Sequence, residues 1–253
     1  MKSDDLVRSA EVSFPKQNLL SIIRSKYGPE IEEEELPEGL TTFLNPYSYL
    51  IARKHRDIFQ EMDHIFIDSI MLVKSLSVLK IAKCRRRIAF DMAGLAPFVF
   101  FYAQIKQKTI FFIGTRPSVI DTAIKNIKSM YPQLRVLGYQ HGYFYDHKER
   151  ENVLDHIVAL HPDFVVVGMG TPLQERFLLD LKARGWRGAG FTCGGFLHQT
   201  AKRIKYYPDW IDEIYLNALF RLYDEPKLVK RYFVQYPKFL PIFLFDFIKF
   251  KIG

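Results

Sequence analysis

Val167-Gly168-Met169-Gly170-Thr171-Pro172-Leu173-Gln174-Glu175-Arg176 is the stretch that decides the fold. The run 164–167 before it is apolar without polar alternation, which is typical of a central parallel strand covered on both faces. Gly168 and Gly170 allow another backbone or a ligand to approach closely, and Gln174 and Glu175 follow at the start of a predicted helix. Ligands bind at this edge of an open α/β sheet. A tight strand-to-helix turn without a ligand is the alternative.

Strand-like and helix-like segments alternate along the rest of the chain, which predicts an α/β fold with a parallel sheet. The predicted strands are 41–44, 64–67, 109–113, 134–139, 164–167 and 188–192. The predicted helices are 53–61, one from residue 70, 118–130, 149–160, 173–184 and a last one within 208–232. We therefore expect a variable lead-in over 1–40, a main domain over 41–205 and an appendage over 206–253.

Composition limits the classes of partner and the compartment. Lys and Arg number 36 against 28 acids, a net charge of +8, which favours phosphorylated substrates, acidic lipid surfaces or nucleic acid. The 2 cysteines form no C-x-x-C pair, so neither a disulfide framework nor a cysteine zinc site is indicated. Residues 1–17 contain no apolar signal-peptide core, and no window supplies a membrane span, so we expect a cytoplasmic protein.

The C-terminal run 233–252 is rich in aromatic and aliphatic residues, with Lys238, Lys249 and Lys251 interspersed and Asp246 as its acid. It is too short and too interrupted to span a bilayer, but such a segment can lie in the headgroup region and be attracted to anionic lipid. Packing on its own domain or on a second subunit is the alternative.

Polar residues stand just beyond two predicted strands, where such a sheet gathers its chemistry. Asn45 follows 41–44, and Asp68 follows 64–67. Partial desolvation raises the basicity of an acid in that position, so Asp68 is our candidate for the general base that deprotonates a hydroxyl. A helix N-cap is the alternative role for Asp68.

A basic triplet, Arg85-Arg86-Arg87, precedes the acid Asp91. Guanidinium groups bind diphosphate oxygens and neutralise charge on a leaving group, although a solvated face is the plainer interpretation. His141 follows another strand and is more typical of a hydrogen-bonded structural residue.

Several motifs are missing from the sequence. Neither G-x-G-x-x-G after a strand nor a P-loop occurs, so we expect no nucleotide cofactor. No D-x-D triplet occurs, which removes the usual sign of a divalent metal on a sugar nucleotide, and zinc-peptidase and serine-hydrolase signatures are absent too. Stabilisation of a leaving group by arginine, without a metal, stays open.

With these pieces in place, residues 40–235 resemble the WecG/TagA/CpsF glycosyltransferase family, glycosyltransferase family 26. The strongest segment is Pro162-Asp163 followed by 165–176, which is similar to the family's P-D … V-G-x-G-x-P-x-Q-E block. A second is Tyr207-Pro208-Asp209-Trp210 with 219–222, 225–227 and 230–232. Two weaker blocks, 42–45 and 67–68, fall in family order.

The resemblance implies a Rossmann-like domain with a helical, membrane-proximal appendage. It also implies an inverting transferase that uses a nucleotide-diphosphate sugar and a polyprenyl-diphosphate-linked acceptor at the cytoplasmic membrane face, in surface polysaccharide synthesis. Asp68 would be the base, and Thr42, Asn45 and Gln174 would line the sugar and nucleotide pocket. Arg86 matches the arginine of the family's R-x-x-G-x-D stretch, which ends at Asp91. Two appendage residues would contact a diphosphate: Arg221 and Arg231.

The chain departs from the family at Ser69 and Ala89, where glycine is usual, and at 197–200, where an acid is frequent and His198 stands in position to read a donor hydroxyl. Two alternatives therefore stay open: a catalytically degenerate scaffold of a polysaccharide assembly complex, and a soluble nucleotide-sugar enzyme. Nucleic-acid binding is disfavoured because the basic residues are scattered through helices. A homo-oligomer stays open, since one chain does not reveal its assembly.

Overall fold

A six-stranded, fully parallel sheet forms the centre of the protein in a computed structural model that describes residues 17–29, 36–203 and 231–252. Its strand order is β2-β1-β6-β5-β3-β4. The strands are β1 (Leu40–Leu44), β2 (His64–Ile67), β3 (Thr109–Gly114), β4 (Arg135–Gln140), β5 (Phe164–Gly168) and β6 (Ala189–Thr192). All six strands were predicted, and the Rossmann-like α/β class is confirmed.

Helices flank the sheet on both sides. They are α1 (Leu19–Lys26), α2 (Pro46–Ala52), α3 (Arg56–Glu61), α4 (Ile70–Val78), α5 (Leu95–Ile105), α6 (Pro117–Met130), α7 (His147–Leu160), α8 (Leu173–Ala183), α9 (Phe196–Lys202) and, after the π-helical turn Arg231–Gln235, α10 (Tyr236–Ile252). The helix predicted over 53–61 is observed as α3, which begins at Arg56, and the short helix α2 before it was not predicted. The predicted helix within 208–232 and most of the 206–253 appendage lie outside the described residues.

Strand residues alternate between two apolar cores, one on each face of the sheet. In β5, for example, Val165 and Val167 belong to one core, and Phe164 and Val166 belong to the other. The first core is covered by α1, α2, α3, α4, α7, α8 and α10, and the second by α5, α6 and α9. Helix α1 lies within the predicted lead-in, yet it packs four buried side chains into the first core: Leu19, Leu20, Ile22 and Ile23.

The C-terminal helix α10 has a buried face and an exposed apolar face. Phe239 and Phe243 are buried against Tyr49, with ring centroids 5.3 and 5.7 Å away. Burial of each phenylalanine contributes about 1.5–3 kcal/mol, which fixes α10 on α2. The opposite face exposes five large apolar side chains: Leu240, Leu244, Phe245, Ile248 and Ile252. Within the described ranges, no helix combines the length and apolar character that crossing a bilayer requires.

Candidate functional site

Parallel pairing brings the carboxyl ends of all six strands to one edge of the sheet. Leu44 at the end of β1 pairs with Ile67 at the end of β2, so Asn45 and Asp68 follow neighbouring strand ends. The Asp68 backbone N–H donates to the carbonyl oxygen of Leu44 at 2.8 Å. On the other side of β1 lie β6 and then β5. The edge therefore runs in the order Asp68, Asn45, the β6 turn and the start of α8.

A buried hydrogen-bond network joins three of these strands around Glu175. The Thr42 hydroxyl donates to Glu175 Oε1 at 2.8 Å and accepts from the Thr192 hydroxyl at 3.1 Å. The Gln174 amide donates to the same Oε1 at 3.0 Å, and its carbonyl oxygen accepts from the Gly194 N–H at 3.2 Å. Thr42 comes from β1, Thr192 from β6, and Gln174 and Glu175 from the helix after β5. The network therefore fixes the three strand ends relative to one another.

Glu175 is fully buried, and burial raises the pKa of its carboxyl group above the usual 4.5. Hydrogen bonds from Gln174, Thr42 and Thr171 lower that pKa in part. Its second oxygen, Oε2, has no hydrogen-bond partner among the described residues. Burying an ionised carboxylate oxygen without a partner costs more free energy than burying the unpaired hydroxyl of a neutral acid. Glu175 is therefore suited to act as a neutral structural acid, and it offers no surface to a substrate.

Glycine is required at the two positions of the motif, 168 and 170, for different physical reasons. A Cβ atom on Gly168 would lie 2.9 Å from Cys193 Sγ, so the close approach at Gly168 is made by the chain itself. Gly170 has φ +78°, a conformation that favours glycine, and a Cβ atom there would meet no atom of the described residues within 4 Å. Gly168 therefore serves close packing, and Gly170 serves the backbone conformation.

A second cluster joins Asp68 and Asp91 through Arg87. The Arg87 Nε atom donates to Asp68 Oδ1 at 2.7 Å, and its terminal nitrogen donates to Asp91 Oδ2 at 2.6 Å. Burial alone would lower the pKa of Arg87, but the charges of Asp68 and Asp91 outweigh it and raise that pKa above its usual value. The side chains of Asp68 and Arg87 are 25% and 27% exposed, so both are partly open to solvent.

Asp68 is not an N-cap, which was the alternative role for this residue. Ser69 caps α4, and its hydroxyl accepts from the Leu72 N–H at 3.5 Å. The serine that replaces the family's glycine therefore has a structural use. Asn45 does cap a helix: its side-chain oxygen accepts from the Tyr47 and Ser48 N–H groups, both at 3.1 Å.

The structure shows no contact with the site for the three predicted arginines, Arg86, Arg221 and Arg231, within the described residues. Arg86 is exposed on the loop, and its neighbour Arg87 makes the contacts with Asp68 and Asp91. Sequence reasoning missed Arg87, although its spacing of four residues from Asp91 was a usable signal. Arg221 lies outside the described residues, and so do the side-chain contacts of Arg231. The role of each of these arginines stays a prediction.

A Rossmann-like sheet that gathers ionisable and amide side chains at its carboxyl edge defines an α/β protein with a ligand site at that edge. Comparison with known families then identifies the type. The chain belongs to the WecG/TagA/CpsF family of glycosyl transferases, whose family model matches residues 29–252. The expected family and the expected enzyme class, a glycosyltransferase, are both confirmed.

Named relatives cover most of the chain. A Shigella boydii protein named UDP-Gal:alpha-D-GlcNAc-diphosphoundecaprenol beta-1,4-galactosyltransferase is 36% identical over 222 residues, which cover 87% of this chain and 92% of that protein. A Bacillus subtilis (strain 168) protein named N-acetylglucosaminyldiphosphoundecaprenol N-acetyl-beta-D-mannosaminyltransferase is 28% identical over 191 residues, which cover 74% of this chain and 72% of that one. A Staphylococcus aureus protein with the same name is 23% identical over 210 residues, with coverages of 82% and 78%.

Glu175→Gln tests whether Glu175 is neutral. The amide is an isostere of the protonated acid, so we expect activity within about twofold of the wild type, whereas Glu175→Leu leaves buried donors unpaired and costs about 1–3 kcal/mol of stability. A raised folded pKa makes wild-type stability fall as pH rises above the unfolded value, and the Gln variant lacks this dependence. Thermal denaturation across pH measures the stability of each variant and its pH dependence, and turnover measures the activity. Equal losses of stability and activity in Glu175→Gln and Glu175→Leu would mean that the negative charge of Glu175 is needed.

Substitution of Arg86 and Arg87 one at a time tests which of them serves the site. Arg87→Gln removes the cation between Asp68 and Asp91, so we expect kcat/KM to fall by about 10²-fold or more, the usual loss for a positioned charge. Lys83→Gln is the control for net charge, since Lys83 is exposed. Arg86→Gln is the direct competitor. A larger loss for Arg86→Gln than for Arg87→Gln would restore the assignment that the family motif implies.

Proposed function

We propose that this protein transfers a hexose from a UDP-sugar to an N-acetylglucosamine carried on undecaprenyl diphosphate, with inversion at the anomeric carbon and without a metal ion. The product would enter synthesis of a bacterial surface polysaccharide. The acceptor is supported by the names of the three relatives, and UDP-galactose, which the Shigella relative's name contains, is the first donor to test.

The observation that carries the proposal is the Asp68–Arg87–Asp91 cluster at the carboxyl edge of the sheet. In a single displacement, the acceptor oxygen forms a bond to the anomeric carbon while the bond from that carbon to the diphosphate breaks. Asp68 takes the acceptor's proton, and the electron pair leaves with the nucleoside diphosphate. The Arg87 Nε atom donates to Asp68 Oδ1, which orients this carboxylate.

A single displacement inverts the anomeric carbon, because the acceptor attacks from the face opposite the leaving group. The β linkage in each relative's name fits a single displacement on an α-linked donor. Metal independence is supported by the lack of a D-x-D triplet and by Arg221 and Arg231, to which the family resemblance assigns contacts with a diphosphate. Arginine can hold diphosphate oxygens bidentately, which is the task that a divalent ion performs elsewhere.

Turnover with a panel of UDP-sugars tests the reaction and the base together. The acceptor is N-acetylglucosamine on a short-chain prenyl diphosphate, and each reaction runs with and without EDTA. We expect a β-linked product by NMR, no effect of EDTA, and a loss of about 10²–10⁴-fold in Asp68→Asn, the usual contribution of a general base. Asp57→Asn is the control, because this acid on α3 is 70% exposed. An unchanged rate in Asp68→Asn would contradict the role of Asp68, and loss of product with EDTA would contradict metal independence.

We further propose that α10 docks the protein on the inner face of the cell membrane. Its exposed apolar stripe lies beside Lys249 and Lys251, which are also exposed. Apolar side chains with flanking lysines suit the interface of an anionic bilayer, and a lipid-linked acceptor is presented there.

Flotation with phosphatidylglycerol vesicles tests this docking. The triple variant Leu240→Ser, Leu244→Ser and Ile248→Ser removes exposed apolar area and keeps Phe239 and Phe243 in place, so we expect partitioning to fall by at least about tenfold. The matched control is a triple serine variant of exposed residues on α5: Phe98, Phe101 and Ile105. Loss of vesicle binding in the α5 variant alone would indicate that the membrane contact lies on the other face of the sheet.

A further inference from the structure

Asp246 is a charged residue on the otherwise apolar buried face of α10, and it is 6% exposed. The Arg53 Nε atom donates to both of its carboxylate oxygens, at 2.9 and 2.8 Å. The Tyr49 hydroxyl donates to Oδ2 at 3.0 Å, and the Asn18 amide donates to the Asp246 backbone oxygen at 2.8 Å. A buried ion pair is weak support for stability compared with apolar packing, but it is demanding in geometry. Asp246 therefore fixes where α10 sits more than how tightly it packs.

The partners of Asp246 lie on the helix that begins at the site. Tyr49 and Arg53 follow Asn45 at intervals of four residues, so they continue one face of α2. The Tyr49 N–H donates to the Asn45 carbonyl at 2.8 Å, and the Arg53 N–H donates to the Tyr49 carbonyl at 2.9 Å. Helix α2 has 7 residues and is capped by Asn45 at its N-terminus. Tyr49 in the middle of the helix and Arg53 at its C-terminus make the contacts to Asp246.

We propose that Asp246 is a positioning residue: by holding Tyr49 and Arg53 it sets the orientation of α2, and thereby the place of Asn45 in the donor pocket. The inference rests on the proposed function, and it takes from the family resemblance that Asn45 lines the sugar and nucleotide pocket. Burial and the charge of Asp246 raise the pKa of Tyr49, so its hydroxyl remains a hydrogen-bond donor. Coupling of this kind is reciprocal, so donor binding also favours the docked position of α10.

Steady-state kinetics with UDP-galactose and the short prenyl-diphosphate acceptor, in the absence of vesicles, test the positioning role. We expect Asp246→Ala to raise the KM for UDP-galactose by about tenfold, a usual size for coupling between sites, with a smaller change in kcat. Asp246→Glu should recover part of the loss, since it keeps a carboxylate. The control is Asp163→Ala, which removes an acid that accepts from Thr109 and Lys108 at the opposite edge of the sheet. A purely structural role predicts a lower apparent kcat with an unchanged KM in both alanine variants, and an unchanged KM in Asp246→Ala overturns the proposal.

Hydrogen exchange of the full-length protein gives a readout without turnover. We expect Asp246→Ala to speed hydrogen exchange across 45–53 and to leave exchange across 164–168 unchanged. The double variant Asp246→Ala, Arg53→Ala should exchange little faster than Asp246→Ala, because both substitutions remove the same contact. Unchanged exchange across 45–53 overturns the proposal. If the wild-type protein turns over no UDP-sugar, the proposed function fails by itself, and exchange still decides whether Asp246 holds α2.

Discussion

The hydrogen bond between Thr42 and Glu175 is the constraint on which the site depends. It joins the interior of β1 to the first turn of α8, and Thr192 and Gln174 extend it to the ends of β6 and β5. Since these bonds are buried, water does not compete for them, and breaking one leaves a polar group unpaired. The carboxyl edge is thereby held as one rigid surface, which a transferase needs to orient two substrates.

The two acids of the carboxyl edge differ because their surroundings differ. Glu175 is enclosed and faces neutral donors, so burial dominates and favours the uncharged form. Asp68 is partly exposed and forms an ion pair with Arg87. Burial and the position of Arg87 therefore distinguish the two acids, and the proposed mechanism uses only Asp68 as a base.

The sequence was a good guide to the sheet and a poorer one to its loops. Apolar runs of strand length separated by periodic helices fix a parallel sheet, and that pattern depends little on tertiary contacts. Helix α2 was not predicted because Asn45-Pro46, a capping residue with proline at the first helical position, was not recognised as a start signal. Arg87 could not be separated from Arg86 by composition. The backbone bond from Ile88 to Ile67 sets which of the two faces Asp68, and that contact is tertiary.

Packing of the C-terminal helix on the domain and its contact with lipid do not exclude each other. Both faces of α10 are apolar, so hydropathy alone cannot say which one meets the protein. The distinguishing signal is polar: Asp246 lies on the face of Phe239 and Phe243, where α2 supplies its partners, whereas lysines accompany the outer face. A carboxylate would be costly in a bilayer and lysines would not be costly at its surface, so one helix can pack on the domain and face lipid without detaching. In that arrangement, the contacts of Asp246 with Tyr49 and Arg53 join α10 to α2, the helix that Asn45 caps.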